Sequence, residues 1–232
     1  MEEVVKFNNI NKSYGDSKIY DNFNIDIRKG RINCILGKSG CGKTTLLKVI
    51  AGDSRFKGHI SYIFQEDRLI PWKNIYKNME FVLEKKYTRY DRKNIINKYL
   101  SMLNISECSN KYPSELSGGM RQRADIGRAF AYPGEILLMD EPFKSLDIKT
   151  KEDIINDFKQ MTIKEKRTVI LVTHDIDEAL KVSDYIFVFG KRPVEILQQY
   201  DLYDSNKEII AIKQEVKELF GIYLDITNKN NE

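Results

Sequence analysis

Apolar and polar residues alternate through VVKFNNINKSYG and again through KIYDNFNIDIRKG, so both stretches predict β-strands bounded by turn residues. INCILG (32–37) is continuously apolar, as a buried central strand requires. TTLLKVIAG predicts a helix closed by Gly52 as a C′ glycine, and HISYIF (59–64) a further strand. From 72 to about 113 the apolar residues recur at helical spacing: Ile75, Met79, Val82 and Leu83, then Ile95, Ile96, Tyr99, Leu100 and Leu103. This reads as a helical insert ending before Pro113. A helix then runs to about Ala131, followed by the buried strand EILLMD. KTKEDIINDFKQM predicts an amphipathic helix with Thr150 and Asp153 as its capping box. TVILVT, DIDEALKVS and YIFVF read as strand, helix and strand. In the tail, Ser205 and Glu208 form a capping box. Ile209, Ile212, Val216 and Leu219 form an apolar stripe there, and Gly221 closes the helix. Apolar strands alternating with helices argue for an α/β core with a mostly parallel sheet, and the alternating start for an antiparallel piece packed on it.

Composition changes this picture little. The 232 residues suffice for a sizeable core, and a net charge of +4 is too mild and too scattered for a nucleic-acid binder. The basic stretch EKKYTRYDRKN (84–94) reads as the solvated face of the helical insert. No apolar run approaches the ~20 residues that cross a bilayer. MEEVVKF is acidic and strand-like, unlike a secretory signal, so work at a membrane would go through partners. Cys34, Cys41 and Cys108 suit no metal site and point to a reducing compartment. His59 reads as a surface residue.

The chemistry concentrates in two places. GKSGCGKT (37–44) matches G-x-x-x-x-G-K-[ST] between a buried strand and a helix. Gly37, Gly40 and Gly42 let the backbone turn its N–H groups toward phosphates, Lys43 reaches the β- and γ-phosphates, and the Thr44 hydroxyl ligates Mg²⁺. EILLMDE carries Asp140 to a strand's carboxyl end, where it holds Mg²⁺. Glu141 follows with its side chain turned the other way, placed to polarise a water. A second glycine loop, LSGGMRQR (116–123), also looks built for phosphate, although one nucleotide site needs only one such loop.

The order GKSGCGKT, Gln65, LSGGM, ILLMDE, SLD and His174 resembles the ATP-binding cassette family, the nucleotide-binding subunits of ABC transporters, over residues 1 to about 200. The resemblance implies a P-loop NTPase core, an N-terminal antiparallel β subdomain and an inserted helical subdomain. It divides one domain into 1–70 and 130–200 (core), 71–129 (helical subdomain with the signature loop) and 201–232 (tail). It also accounts for two loops: subunits pack head to tail, and Ser117, Gly118 and Gly119 complete the partner's ATP site. The implied nucleotide contacts are Tyr14, stacking on adenine, and Gly37, Lys38, Ser39, Gly40, Cys41, Gly42, Lys43, Thr44 and Thr45. Thr44, Gln65 and Asp140 would attend Mg²⁺. Glu141, His174, Gln65 and Lys43 would serve catalysis, and Asp147 would lie at the dimer interface.

FQEDRLIPW (64–72), with LSGGMRQR and DEPF, resembles the importer branch for nitrate, sulfonate, taurine and thiamine-precursor solutes. Pro71 and Trp72 would then meet the membrane subunit, or else pack inside the helical subdomain. The implied protein is a homodimeric ATPase at the cytoplasmic face of the plasma membrane. Its partners are permease subunits and, indirectly, an external solute-binding protein. The alternative is a soluble cassette ATPase acting on a cytosolic complex. Lys144, Asp125 and Gly127 depart from the branch's pattern, and a mid-helix glycine costs roughly 1 kcal/mol relative to alanine.

Overall fold

The computed structural model describes residues 3–56, 59–144, 146–203 and 209–229. Its strands are β1 (Val4–Tyr14), β2 (Ser17–Arg28), β3 (Ile32–Leu36), β4 (Ile60–Ile63), β5 (Ile136–Asp140), β6 (Thr168–Thr173), β7 (Tyr185–Phe189) and β8 (Ile196–Asp201). Its helices are α1 (Lys43–Ala51), α2 (Ile75–Phe81), α3 (Arg89–Met102), α4 (Gly118–Ala131), α5 (Ile148–Glu165), α6 (Ile176–Val182) and α7 (Ile209–Lys229). β1 and β2 form an antiparallel hairpin. The other strands form a sheet in the order β4-β5-β6-β3-β7-β8, with β3–β7 and β4–β5 parallel and β7–β8 antiparallel. The expected α/β architecture is thus present. β8 was not anticipated: ILQQYD carries two adjacent glutamines, and it is an edge strand with only Tyr200 fully buried.

By internal contacts the chain divides into two units, Met1–Gly52 with Ile170–Glu232, and Asp53–Val169. In the first unit, Tyr20 and Phe23 meet at 4.9 Å, and Phe23 meets Phe189 edge-on at 5.5 Å. These rings carry the hairpin onto the inner strands; Ile35 and Leu36 of β3 and Leu46, Leu47 and Ile50 of α1 are fully buried. In the second unit, Phe130, Phe143 and Phe158 form a chain of edge-on rings. Ile75, Met79, Ile96, Leu100 and Leu103 are buried there, as their helical spacing predicts.

Four local expectations are corrected. α5 starts earlier than Thr150: Asp147 is its N-cap and accepts from the Thr150 N–H at 3.0 Å, which makes Thr150 a first-turn residue. Gly52 is right-handed (φ −87°) and still bonds back to Lys48 and Val49, because the chain continues into a 3-10 turn instead of reversing. α7 runs through Gly221, since Ile212 and Val216 anchor the helix by burial and glycine only weakens it. The alternation expected to send Asp140 and Glu141 to opposite faces stops at Asp140: Glu141 lies outside β5 with φ 46°. The Ser205–Glu208 box lies outside the described residues.

The departure at Gly127 has a packing reason. A Cβ there would meet Leu103 Cδ1 at 3.0 Å and Met79 Cε at 3.4 Å, so the glycine lets α4 approach the segments carrying those two residues. Among the described residues, no helix is long and apolar enough to cross a membrane.

Candidate functional site

The first unit carries the phosphate loop. β3 delivers Gly37, whose N–H donates to the Thr173 carbonyl at the end of β6 at 3.3 Å. His174 is the next residue and is exposed, so this unit sets the histidine beside the loop's entrance. Gly40 (φ 80°) and Gly42 (φ 137°) take backbone conformations that side-chain-bearing residues rarely adopt. The Tyr20 hydroxyl donates to the Gly42 carbonyl at 3.0 Å, and burial pushes that hydroxyl far above its ordinary ionisation range, so it stays a donor.

α1 begins at Lys43 with no side-chain cap and no acid in its first turn. Helix N–H groups left without partners at such an end, together with the dipole, favour an anion. The Lys43 side chain is folded back, its ammonium donating to the carbonyls of Gly37 at 2.7 Å and Lys38 at 3.0 Å. Thr44 and Ser39 are exposed, Thr45 is half-buried, and Cys41 is a buried filler. Tyr14 ends β1 and is 53% exposed, leaving a ring face open.

Lys38 makes a contact that sequence reasoning missed. Its ammonium donates to the Phe220 carbonyl of α7 at 2.8 Å and lies 5.8 Å from the Phe220 ring. The loop, the turn after β7 and α7 border an open cavity of about 520 Å³ lined by Cys41, Phe189, Arg192, Leu197 and Phe220. No local pattern could pair positions so distant in the chain.

The second unit holds the remaining candidates. In the parallel pair β4–β5, Ile63 lies opposite Met139, so Gln65 and Glu141 leave neighbouring strand ends at the same level. Adjacent strands run about 4.8 Å apart, which brings Gln65, Asp140 and Glu141 to one rim. Asp140 is buried and Gln65 exposed. Glu141 is half-buried, and the Lys144 ammonium lies 3.3 Å from its Oε2. The charge at Lys144 therefore acts on Glu141. Lys144 stands three residues from Glu141 on the turn that Glu141's positive φ begins.

The second glycine loop is a helix start. Ser117 is the N-cap of α4 and accepts from the Met120 N–H at 3.3 Å. The two glycines differ: a Cβ at Gly118 would meet nothing within 4 Å, whereas one at Gly119 would meet Thr150 Cγ2 at 2.5 Å. Packing on α5 thus disfavours a side chain at Gly119, which is half-buried, whereas Gly118 is exposed with open space around it. We predict that Gly119→Ala lowers stability by about 1–3 kcal/mol through overpacking. Adding Thr150→Ser, which removes the offending methyl, should restore most of it. Denaturant unfolding of the two variants checks this, and equal midpoints would refute it. Gly118, Gln65, Asp67, Arg121 and Pro142 line a shared cavity of about 280 Å³. His59 pairs on the surface with Glu135 at 2.9 Å.

A family model described as ABC transporter matches residues 20–144, a span holding the phosphate loop, Gln65, the second glycine loop and Asp140–Glu141. The chain belongs to the ABC transporter family. Among curated relatives, it is 37% identical over 214 residues to an uncharacterized ABC transporter ATP-binding protein of Methanocaldococcus jannaschii, covering 85% of this chain and 76% of that one. It is 35% identical over 234 residues to an aliphatic sulfonates import ATP-binding protein of Bacillus thuringiensis, covering 92% and 91%. A bacterial ABC transporter cassette solved as a dimer superposes with a TM-score of 0.72 at 30% identity, over 85% of this chain and 98% of that one. The same cassette, in a dimeric post-hydrolysis state bound to ADP and Pi, gives 0.73. This ABC protein is accordingly an ATP-binding ATPase.

Proposed function

We propose that this cassette is the ATPase subunit of an importer for a small solute of the sulfonate, nitrate, taurine or thiamine-precursor type, driven by ATP-dependent closure of a head-to-tail homodimer. In that reading Lys43 leaves the Gly37 and Lys38 carbonyls for the β- and γ-phosphates, and the uncapped start of α1 receives the phosphate oxygens. Tyr14 stacks on the base. Thr44, Gln65 and Asp140 offer a hydroxyl, an amide oxygen and a carboxylate, hard oxygen donors that suit Mg²⁺. The ion would neutralise charge on the transferred phosphoryl group. Glu141 orients the attacking water and takes its proton as the bond between the γ-phosphorus and the bridging oxygen breaks, and His174 contacts the γ-phosphate. Ser117, Gly118 and Gly119 meet the γ-phosphate of the second copy's ATP, with Asp147 at the shared interface. One isologous surface then builds both sites.

The observation that carries the importer reading is Trp72. It is 77% exposed beside Pro71, so packing inside the helical subdomain (71–129) does not account for it. A rigid, exposed tryptophan is suited to anchor a protein interface. The importer relatives support the branch; the solute would be chosen by the membrane subunits and a solute-binding protein. A site at the inner face of the membrane follows from this assembly.

The test is co-purification of the tagged protein from its native cells in mild detergent. A multi-helix membrane protein should accompany the wild type, and Trp72→Ala should lose it. Truncating an interface anchor costs about 2 kcal/mol or more, roughly thirtyfold in affinity. A complex of cytosolic proteins alone would replace this reading with that of a soluble cassette ATPase.

A further inference from the structure

Arg121 and Arg128 are seven residues apart on α4, close to two full turns, so they leave the same helix face, and Asp125 lies between them. This face holds the segment after Gln65 at two points. Arg121 donates from Nε to the Asp67 carboxylate at 3.1 Å and from Nη1 to the carbonyl of Leu116, the residue before Ser117, at 2.7 Å. Arg128 donates from Nη1 to the Arg68 carbonyl at 2.7 Å and from Nη2 to the Asp125 carboxylate. The Arg68 side chain is anchored as well. Its guanidinium lies 3.7 Å over the Phe64 ring, which stacks on Tyr62 at 4.2 Å. Gln65 therefore sits in a short exposed stretch whose two flanks, Phe64 and Arg68, are both tied down.

Asp125 is the unusual member. It is 2% exposed in the middle of a helix, and burial pushes its carboxyl upward against the pull of Arg128. An ion pair this buried is weak evidence for stability, because desolvation offsets the attraction. Its geometric effect is clearer. A guanidinium is a flat fork with fixed N–H directions, so a carboxylate on one prong fixes where the other points. Here the other prong meets the backbone of the Gln65 segment.

We propose that Asp125 and Arg128 are positioning residues for Gln65: Asp125 sets the Arg128 fork, the fork holds the Arg68 carbonyl, and α4 thereby carries the Gln65 segment and the signature loop as one body. This rests on the role for Gln65 proposed above. Neither residue reaches the reacting atoms. Loosening them displaces Gln65, and small misplacements of a positioned group cost turnover more than binding.

The test measures hydrogen exchange and steady-state ATP turnover in the intact chain for wild type, Asp125→Asn, Arg128→Lys and Gln65→Ala. In both clamp variants the amides of residues 64–69 should exchange at least about fivefold faster, while those of α4 keep their protection. The kcat should fall about tenfold, with KM for ATP within about twofold of wild type. Arg128→Lys keeps the charge facing Asp125 but lacks the flat fork with its fixed N–H directions, and retained protection of α4 shows that the variant is folded, so misfolding does not mimic the result. Unchanged exchange at 64–69 overturns the clamp. Faster exchange with wild-type kcat overturns the positioning role if Gln65→Ala is itself slow. If Gln65→Ala also turns over normally, the role of Gln65 has failed, and the faster exchange still supports the clamp.

Discussion

Glu141→Gln is expected to bind ATP and dimerise while turning over roughly 10²–10⁴-fold more slowly, the contribution usual for a positioned general base. The substitution keeps volume and shape at a half-buried position, so the fold has no reason to change. It removes the negative charge that faces Lys144 at 3.3 Å and the capacity to accept a proton from water. The left-handed backbone at φ 46° is carried equally by glutamine and glutamate. Phosphoryl transfer would stall with nucleotide enclosed, and the closed dimer would accumulate because its exit is the blocked step. Rapid-quench hydrolysis gives the rate and size-exclusion with ATP gives the dimer. Turnover within about threefold of wild type would remove Glu141 from the role of base.

Gly42→Ala is expected to damage both stability and nucleotide binding. At φ 137° a side-chain-bearing residue is strained wherever space exists, and here there is none. The added Cβ would lie 3.0 Å from both Ile19 Cγ2 and Val194 Cγ2 and 3.3 Å from the Tyr20 hydroxyl. Backbone strain of about 1–3 kcal/mol and overpacking of similar size sum to roughly 2–6 kcal/mol. For a chain of this length that lowers Tm by about 4–24 °C. Relief requires moving Gly42 and with it the start of α1, so ATP affinity should fall even in the folded fraction. Calorimetric unfolding and nucleotide titration below the lowered Tm measure the two effects. A variant with wild-type Tm and affinity would show that the loop does not need this conformation.

The sheet and most of the candidate residues were legible because their signals are local. Buried strands such as INCIL and TVILVT are apolar throughout, and the phosphate loop needs glycines, lysine and threonine at fixed spacing. Helix ends were read less well. Thr150 and Asp153 fit a capping box by sequence, yet Asp147 takes the cap, since a turn beginning three residues earlier is equally compatible with the pattern. Gly221 resembles a helix end, but burial of Ile212 and Val216 outweighs a roughly 1 kcal/mol glycine cost.

The sequence by itself determined the order of the strands β1–β7 and of the helices, the phosphate loop, the acidic strand end and the second glycine loop, because each depends on residues adjacent in the chain. Only the tertiary structure decided what lies between distant positions. Thr150 disfavours a side chain at Gly119, Leu103 and Met79 favour a glycine at 127, and Lys144 faces Glu141. Lys38 reaches α7, and Arg121, Asp125 and Arg128 hold the segment behind Gln65. These contacts arise from close packing and from polar groups seeking partners after burial, which local periodicity does not encode.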